Sequence, residues 1–186
     1  MSVSDDHEHI IAATRDWLEK AVIGLNLCPF AKSVYVKNQV RYVVSDAAQP
    51  DQLAQELASE LRLLADSSPD EIDTTLLIHP RALQRFLDFN DFLDIPDAIV
   101  EDMGLDGELQ VASFHPKFQF DGTGINDIEN YTNRAPYPTL HLLREASIGR
   151  AVEAFPQAEA IYEKNIETLK QLGLDGWKAL FAGKTP

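Results

Sequence analysis

Sulfur chemistry is nearly absent from this chain: among 186 residues there is one cysteine, Cys28. A lone cysteine excludes an internal disulfide and any metal centre built from four cysteines of one chain, and it fits a reducing cytoplasm. Positive charge is scarce too. There are 16 Lys and Arg against 30 Asp and Glu, a net charge of −14, with no basic run. Such a surface repels nucleic acid and anionic lipid, because both need clustered Lys and Arg. Neither is expected as a partner. No apolar stretch approaches the roughly 20 residues of a membrane span. The acidic start, Met1-Ser-Val-Ser-Asp-Asp-His-Glu8, lacks the basic-then-apolar layout of a signal peptide, so a soluble cytoplasmic protein is expected.

What is present is an ordinary globular composition, 45% hydrophobic and 25% charged, in a chain long enough for one domain with a real core. Ile10, Thr14, Trp17, Leu18, Ala21, Val22 and Leu25 lie at helical spacing and predict a helix over residues 6–25. Residues 34–36 and 40–44 suggest a hairpin, the second being the firmer strand. Pro50 suits a first helical turn, and Leu53, Leu57, Leu61 and Leu64 mark the helix behind it. Residues 74–78 read as a central strand. A helix over residues 82–93 is broken by Pro96, and residues 109–114 are the next strand. Residues 117–138 read mainly as loop, 139–155 as helix, and Ala158 to Leu172 as a last helix closed by Gly173, with a frayed tail at 183–186. The order predicts a single α/β domain over residues 1–186: a small parallel or mixed sheet of roughly three to five strands with helices packed on it.

Two strands end on the same dipeptide. Residues 75–78 run into His79-Pro80 and residues 110–114 into His115-Pro116. In open α/β sheets ligands bind beyond the carboxyl ends of the strands. If the two strands are parallel neighbours, both imidazoles stand at that edge. Imidazole exchanges protons near neutrality and, when neutral, binds metal. The structural alternative is a pair of histidines that hydrogen-bond loop backbone. Cys28 precedes Pro29; as N-cap of a short helix, with Lys32 nearby, its thiol would be acidified. The alternative is a cysteine packed between Leu27 and Phe30.

A polar stretch follows the second histidine, with Asp121, Thr123, Asn126, Asp127, Asn130, Asn133 and Arg134, then His141 and Arg144. On the expected helix, His141 shares a face with Arg144 and Glu145. Two guanidinium groups near two imidazoles would suit a carboxylate or phosphate. The structural alternative is salt bridging and loop stiffening. The acidic run from Asp88 to Glu108 lacks the spacing of a calcium loop and reads as a solvated helix face. Gly183-Lys184-Thr185 lacks the first glycine and the strand of a phosphate loop, and Asp121-Gly-Thr-Gly124 is not a dinucleotide fingerprint.

The phrases Asn26-Leu-Cys-Pro-Phe-Ala31, Leu77-Ile-His-Pro80, Ala112-Ser-Phe-His-Pro116, Tyr131-Thr-Asn-Arg-Ala-Pro-Tyr-Pro138 and Leu140-His-Leu-Leu-Arg-Glu-Ala-Ser147 occur together. With them the chain resembles a bacterial family known as domain of unknown function number 1415. The resemblance extends from the first helix to about residue 155 and implies a stand-alone soluble bacterial protein. It brings no activity, cofactor or catalytic residue.

Three readings follow. In the first, a small-molecule enzyme or ligand-binding protein has its pocket at the carboxyl edge of the sheet. His115 and His79 do acid–base work and Cys28 is a nucleophile. Arg134, His141, Arg144 and Asn133 hold an anionic small molecule, and hydrolysis or group transfer uses these parts most directly. No cofactor is implied. In the second, His79, His115 and His141 or Cys28 bind zinc or iron. In the third, Phe118, Phe120, Tyr131 and Tyr137 form the contact surface of a non-catalytic interaction module. Burial separates the third from the first: aromatics packed beneath the polar loop favour a pocket. A pocket holding both Cys28 and Arg134 would also make the thiol react faster than a free one.

Overall fold

The computed structural model describes residues 3–154 and 160–182. Its strands are β1 (Val40–Val44), β2 (Thr74–Ile78), β3 (Leu109–Phe114) and β4 (Thr139–Arg144). They form one mixed sheet in the order β1-β2-β4-β3. β1 and β2 are parallel, while β4 runs antiparallel to both β2 and β3. The described residues also form seven α-helices: α1 (Val3–Trp17), α2 (Ala31–Val36), α3 (Pro50–Asp66), α4 (Phe86–Phe92), α5 (Asp94–Asp102), α6 (Glu145–Ala154) and α7 (Ile161–Phe181). The protein is thus a single α/β domain, as its strand and helix pattern predicts.

Leucines spaced by four, four and three explain how α3 seats. Leu53, Leu57, Leu61 and Leu64 are all fully buried, in one cluster with Leu77, Leu140 and Leu142 of the sheet. Removing any of these leucine side chains costs roughly 2–5 kcal/mol. Pro50 opens the helix, and Gln52 Oε1 accepts the N–H groups of Ala48 and Gln49 at 3.1 and 3.3 Å. The opposite sheet face is covered by α1, where Ile10 packs with Leu76 and Ile78. Trp17 and Ala21 join Leu169 and Trp177 of α7 in a third cluster.

α1 runs directly into a π-helix over Leu18–Ile23, closed by a bond from Gly24 N to Glu19 O at 2.9 Å. The wide turn explains the glycine. A Cβ there would stand 2.3 Å from the Lys20 carbonyl oxygen.

Four expectations are corrected. Residues 34–36 belong to α2 rather than to a hairpin strand. The third helix is shorter than residues 82–93 and begins at Phe86. Residues 139–144 form β4, not a helix. β2 and β3 therefore run the same way but are not neighbours, because β4 lies between them. The tail expected to fray, 183–186, and Ala158 lie outside the described residues.

Candidate functional site

His79 and His115 do stand at one edge, beyond β2 and β3. Both point to the sheet face that carries α3 and flank Phe89 of α4, with ring centroids 5.7 and 5.1 Å away. Both are buried, 0% and 1% exposed. His79 Nδ1–H donates to the Ala82 carbonyl at 3.0 Å, and His115 Nε2–H donates to the Leu83 carbonyl at 3.2 Å. His115 Nδ1 accepts the Lys117 N–H at 3.0 Å, which fixes its tautomer. Desolvation pushes His79 down to about 4 and holds His115 below the ordinary histidine value. Each ring is therefore a neutral clamp on the connection after Pro80. That connection is strained: Leu83 has φ +56°, a left-handed conformation rare for a leucine. His79 Nε2 is buried with no hydrogen-bond partner among the described residues.

His141 points to the other sheet face. Residues 141 and 144 are an odd number apart on a strand, so their side chains diverge. Thr74 Oγ1 donates to the Leu142 carbonyl at 2.7 Å and so accepts from His141 Nε2–H, also at 2.7 Å. Desolvation pushes His141 down to about 4. The shared helix face expected for His141, Arg144 and Glu145 does not exist. Arg144 is a buried strut: Nη2 donates to the carbonyls of Leu64, Ser67 and Ile72 at 2.7, 2.8 and 3.0 Å. A guanidinium so engaged is not presented to an anion.

The loop after His115 is organised from within. Asn130 is fully buried; its Oδ1 accepts Phe120 N–H at 2.9 Å and Thr123 Oγ1–H at 2.8 Å, and its Nδ2 donates to Gly124 O at 2.8 Å. Asn133 Nδ2 donates to Ser113 O. Arg134 donates to the Phe118 and Ile125 carbonyls and stacks over Tyr131 at 4.4 Å. The four aromatics thought to form a contact surface are all partly buried. Phe118 packs on Phe86 and Phe120, and Tyr131 on Trp177.

Cys28 is half-buried. It is not the N-cap of α2, a position taken by Phe30. No hydrogen bond or ion pair joins it to Arg134 among the described residues. Nor does any group of three or more His, Cys, Asp or Glu there stand in position to hold a metal ion. His79 and His141 lie on opposite sides of the sheet, which separates two of the three imidazoles invoked as ligands.

The carboxyl edge does hold a cleft, of about 220 Å³, built mostly from other residues. Asp6, His7, His9 and Ile10 come from α1, Asp46 from beyond β1, Pro80 and Arg81 from beyond β2, and Tyr137 from ahead of β4. One carboxylate oxygen organises it. Asp46 Oδ1 lies 3.2 Å from His7 Nε2 and 3.8 Å from Arg81 Nη1. The Arg81 side chain remains 55% exposed. Arg81 lies two residues beyond His79 and Asp46 two beyond Val44, so both stand at the same strand-end edge. The two histidines of α1 carry no local signal, since only the packing of α1 across the sheet brings them there.

Among the described residues no helix is long and apolar enough to cross a membrane. Comparison with curated proteins and with solved structures finds no match. A family model described as "Protein of unknown function (DUF1415)" matches residues 9–179. With nearly its whole length covered, and with the five phrases of the sequence inside that span, the chain belongs to the DUF1415 family.

Proposed function

We propose that the chain is a small-molecule enzyme or ligand-binding protein whose pocket is the cleft at the carboxyl edge of the sheet. The observation that carries the reading is the convergence of His7, Asp46 and Arg81 there. Arg81 holds a carboxylate or phosphate through its forked donors. His7, oriented through Nε2 by Asp46, exchanges a proton at its other nitrogen, an arrangement suited to hydrolysis or group transfer. His79 and His115 are positioning residues in this reading: they fix the connection that carries Arg81 by holding the Ala82 and Leu83 carbonyls. The test is a calorimetric screen of small carboxylates and phosphate monoesters. The binder found should weaken at least tenfold with Arg81→Ala, a variant that leaves the melting temperature unchanged. A binder that holds Arg81→Ala as tightly as the native chain would refute the assignment.

A further inference from the structure

β1 is an outer strand of the sheet. It pairs with β2 from Val40↔Thr74 to Val44↔Ile78, and the next residue, Ser45, donates its N–H to Ile78 O at 2.7 Å. Alternate residues of a paired strand turn their peptide groups toward the partner. Counting back from Ser45, Val43 and Arg41 face β2, so the N–H and C=O groups of Tyr42 and Val44 face outward. An open edge of this kind is a template for another strand, and charge or proline usually blunts it. β1 carries one charge, Arg41, and both its donors to Glu60 (2.9 and 3.1 Å) draw it back onto α3.

Beside that edge lies a groove of about 660 Å³ between β1 and α3. Val43, Ala47 and Leu77 supply apolar lining; Asp46, Glu56 and Glu60 supply carboxylates, and no basic residue among the described residues lines it. Glu60 is neutralised by Arg41, and Asp46 is shared with His7 and Arg81 at the groove's end, which leaves Glu56 as the carboxylate facing the groove with no ion pair among the described residues. We propose that this groove binds an extended, basic segment of a partner protein, which adds a fifth strand beside β1. Backbone bonds to Tyr42 and Val44 give affinity, and a Lys or Arg of the incoming strand meets Glu56. Charge argues against a second copy in the same place. Two chains of net charge −14 would bring two acidic grooves together.

The test uses the full chain and three fluorescein-labelled hexapeptides: alternating Lys-Val, alternating Glu-Val, and the Lys-Val peptide N-methylated at every second amide. Fluorescence anisotropy should show the Lys-Val peptide binding at least tenfold more tightly than either of the others. Glu56→Lys should weaken it at least tenfold. Val44→Pro, which removes an outward N–H and none that faces β2, should do the same with an unchanged circular dichroism spectrum. Equal binding of the N-methylated peptide would reduce the groove to a patch of charge and overturn strand addition. So would a failure of all three peptides to bind. Sedimentation showing a dimer that Val44→Pro abolishes would give the edge to a second copy instead. None of these readouts depends on Arg81.

Discussion

Replacing Arg144 with methionine tests whether this residue is a strut or a ligand group. The change keeps most of the apolar stem and removes the guanidinium. Three carbonyls lose their shared donor: Leu64 and Ser67 at the carboxyl end of α3, and Ile72 in the connection to β2. Leu64 O keeps a second bond, from Ser67 N–H at 3.2 Å. Ser67 and Ile72 keep none of their present side-chain donors. An unsatisfied buried acceptor costs roughly 1–3 kcal/mol, and the helix end also loses a favourable cation. Partial access of water to Ser67 pulls the total down, so the expected loss is about 3 kcal/mol. With a urea slope of about 2 kcal/mol per molar, the unfolding midpoint should fall by about 1.5 M. The assay is urea denaturation followed by circular dichroism. A midpoint shift below about 0.3 M with a native spectrum would refute the strut. Arg144→Lys, with one ammonium to serve three acceptors, should recover only part of the loss.

Acid should destabilise the fold through His79. Its folded value near 4 lies below the ordinary 6.5, so the unfolded chain takes up the proton first. Stability is then full above pH 6.5 and is lost as pH falls toward 4, by about 3 kcal/mol at 1.36 kcal/mol per unit; thermal melts of native and His79→Asn protein should show the variant's smaller pH slope. Asn130→Ala should cost about 2–3 kcal/mol by orphaning the Phe120 and Gly124 backbone groups, and limited proteolysis should then cut within residues 118–134. Cys28, half-buried, should alkylate without denaturant. Arg134→Ala should leave that rate within about twofold, since the guanidinium is engaged by the Phe118 and Ile125 carbonyls; a strong slowing would restore the link expected from sequence.

Strong periodicity was legible. The four leucines of α3 declared themselves because one helix face meets one cluster, and β2 did because it is buried on both faces and so reads as an unbroken apolar run. β4 did not. Its burial alternates, with Leu140, Leu142 and Arg144 buried and His141 and Leu143 less so, but its chemistry does not: a buried position holds a charged Arg144 and a less buried one holds Leu143. α6 follows with no turn residue between, and a short apolar run joined to a helix reads as helix. That one error hid the separation of His141 from Arg144 and the gap between β2 and β3. The edge carrying His79 and His115 was legible from strand ends alone. Their acceptors, the carbonyls of Ala82 and Leu83, were not, because backbone acceptors leave no trace in side-chain identity. The meeting of His7 with Asp46, 39 residues away, depends on how α1 crosses the sheet.

The position of β4 has a consequence for how the chain acquires its fold. The last strand in sequence is an inner one, and its pairing of Leu142 with Thr75 spans 67 residues. Until residues 139–144 have left the ribosome, β2 and β3 cannot share a sheet: β2 keeps one unpaired edge and β3 has no strand partner. Loop closure over such separations is slow, and exposed edges in the interval invite aggregation. Chains shortened ahead of Thr139 should therefore collect in insoluble form, whereas chains shortened after Arg144 already contain all four strands of the described residues.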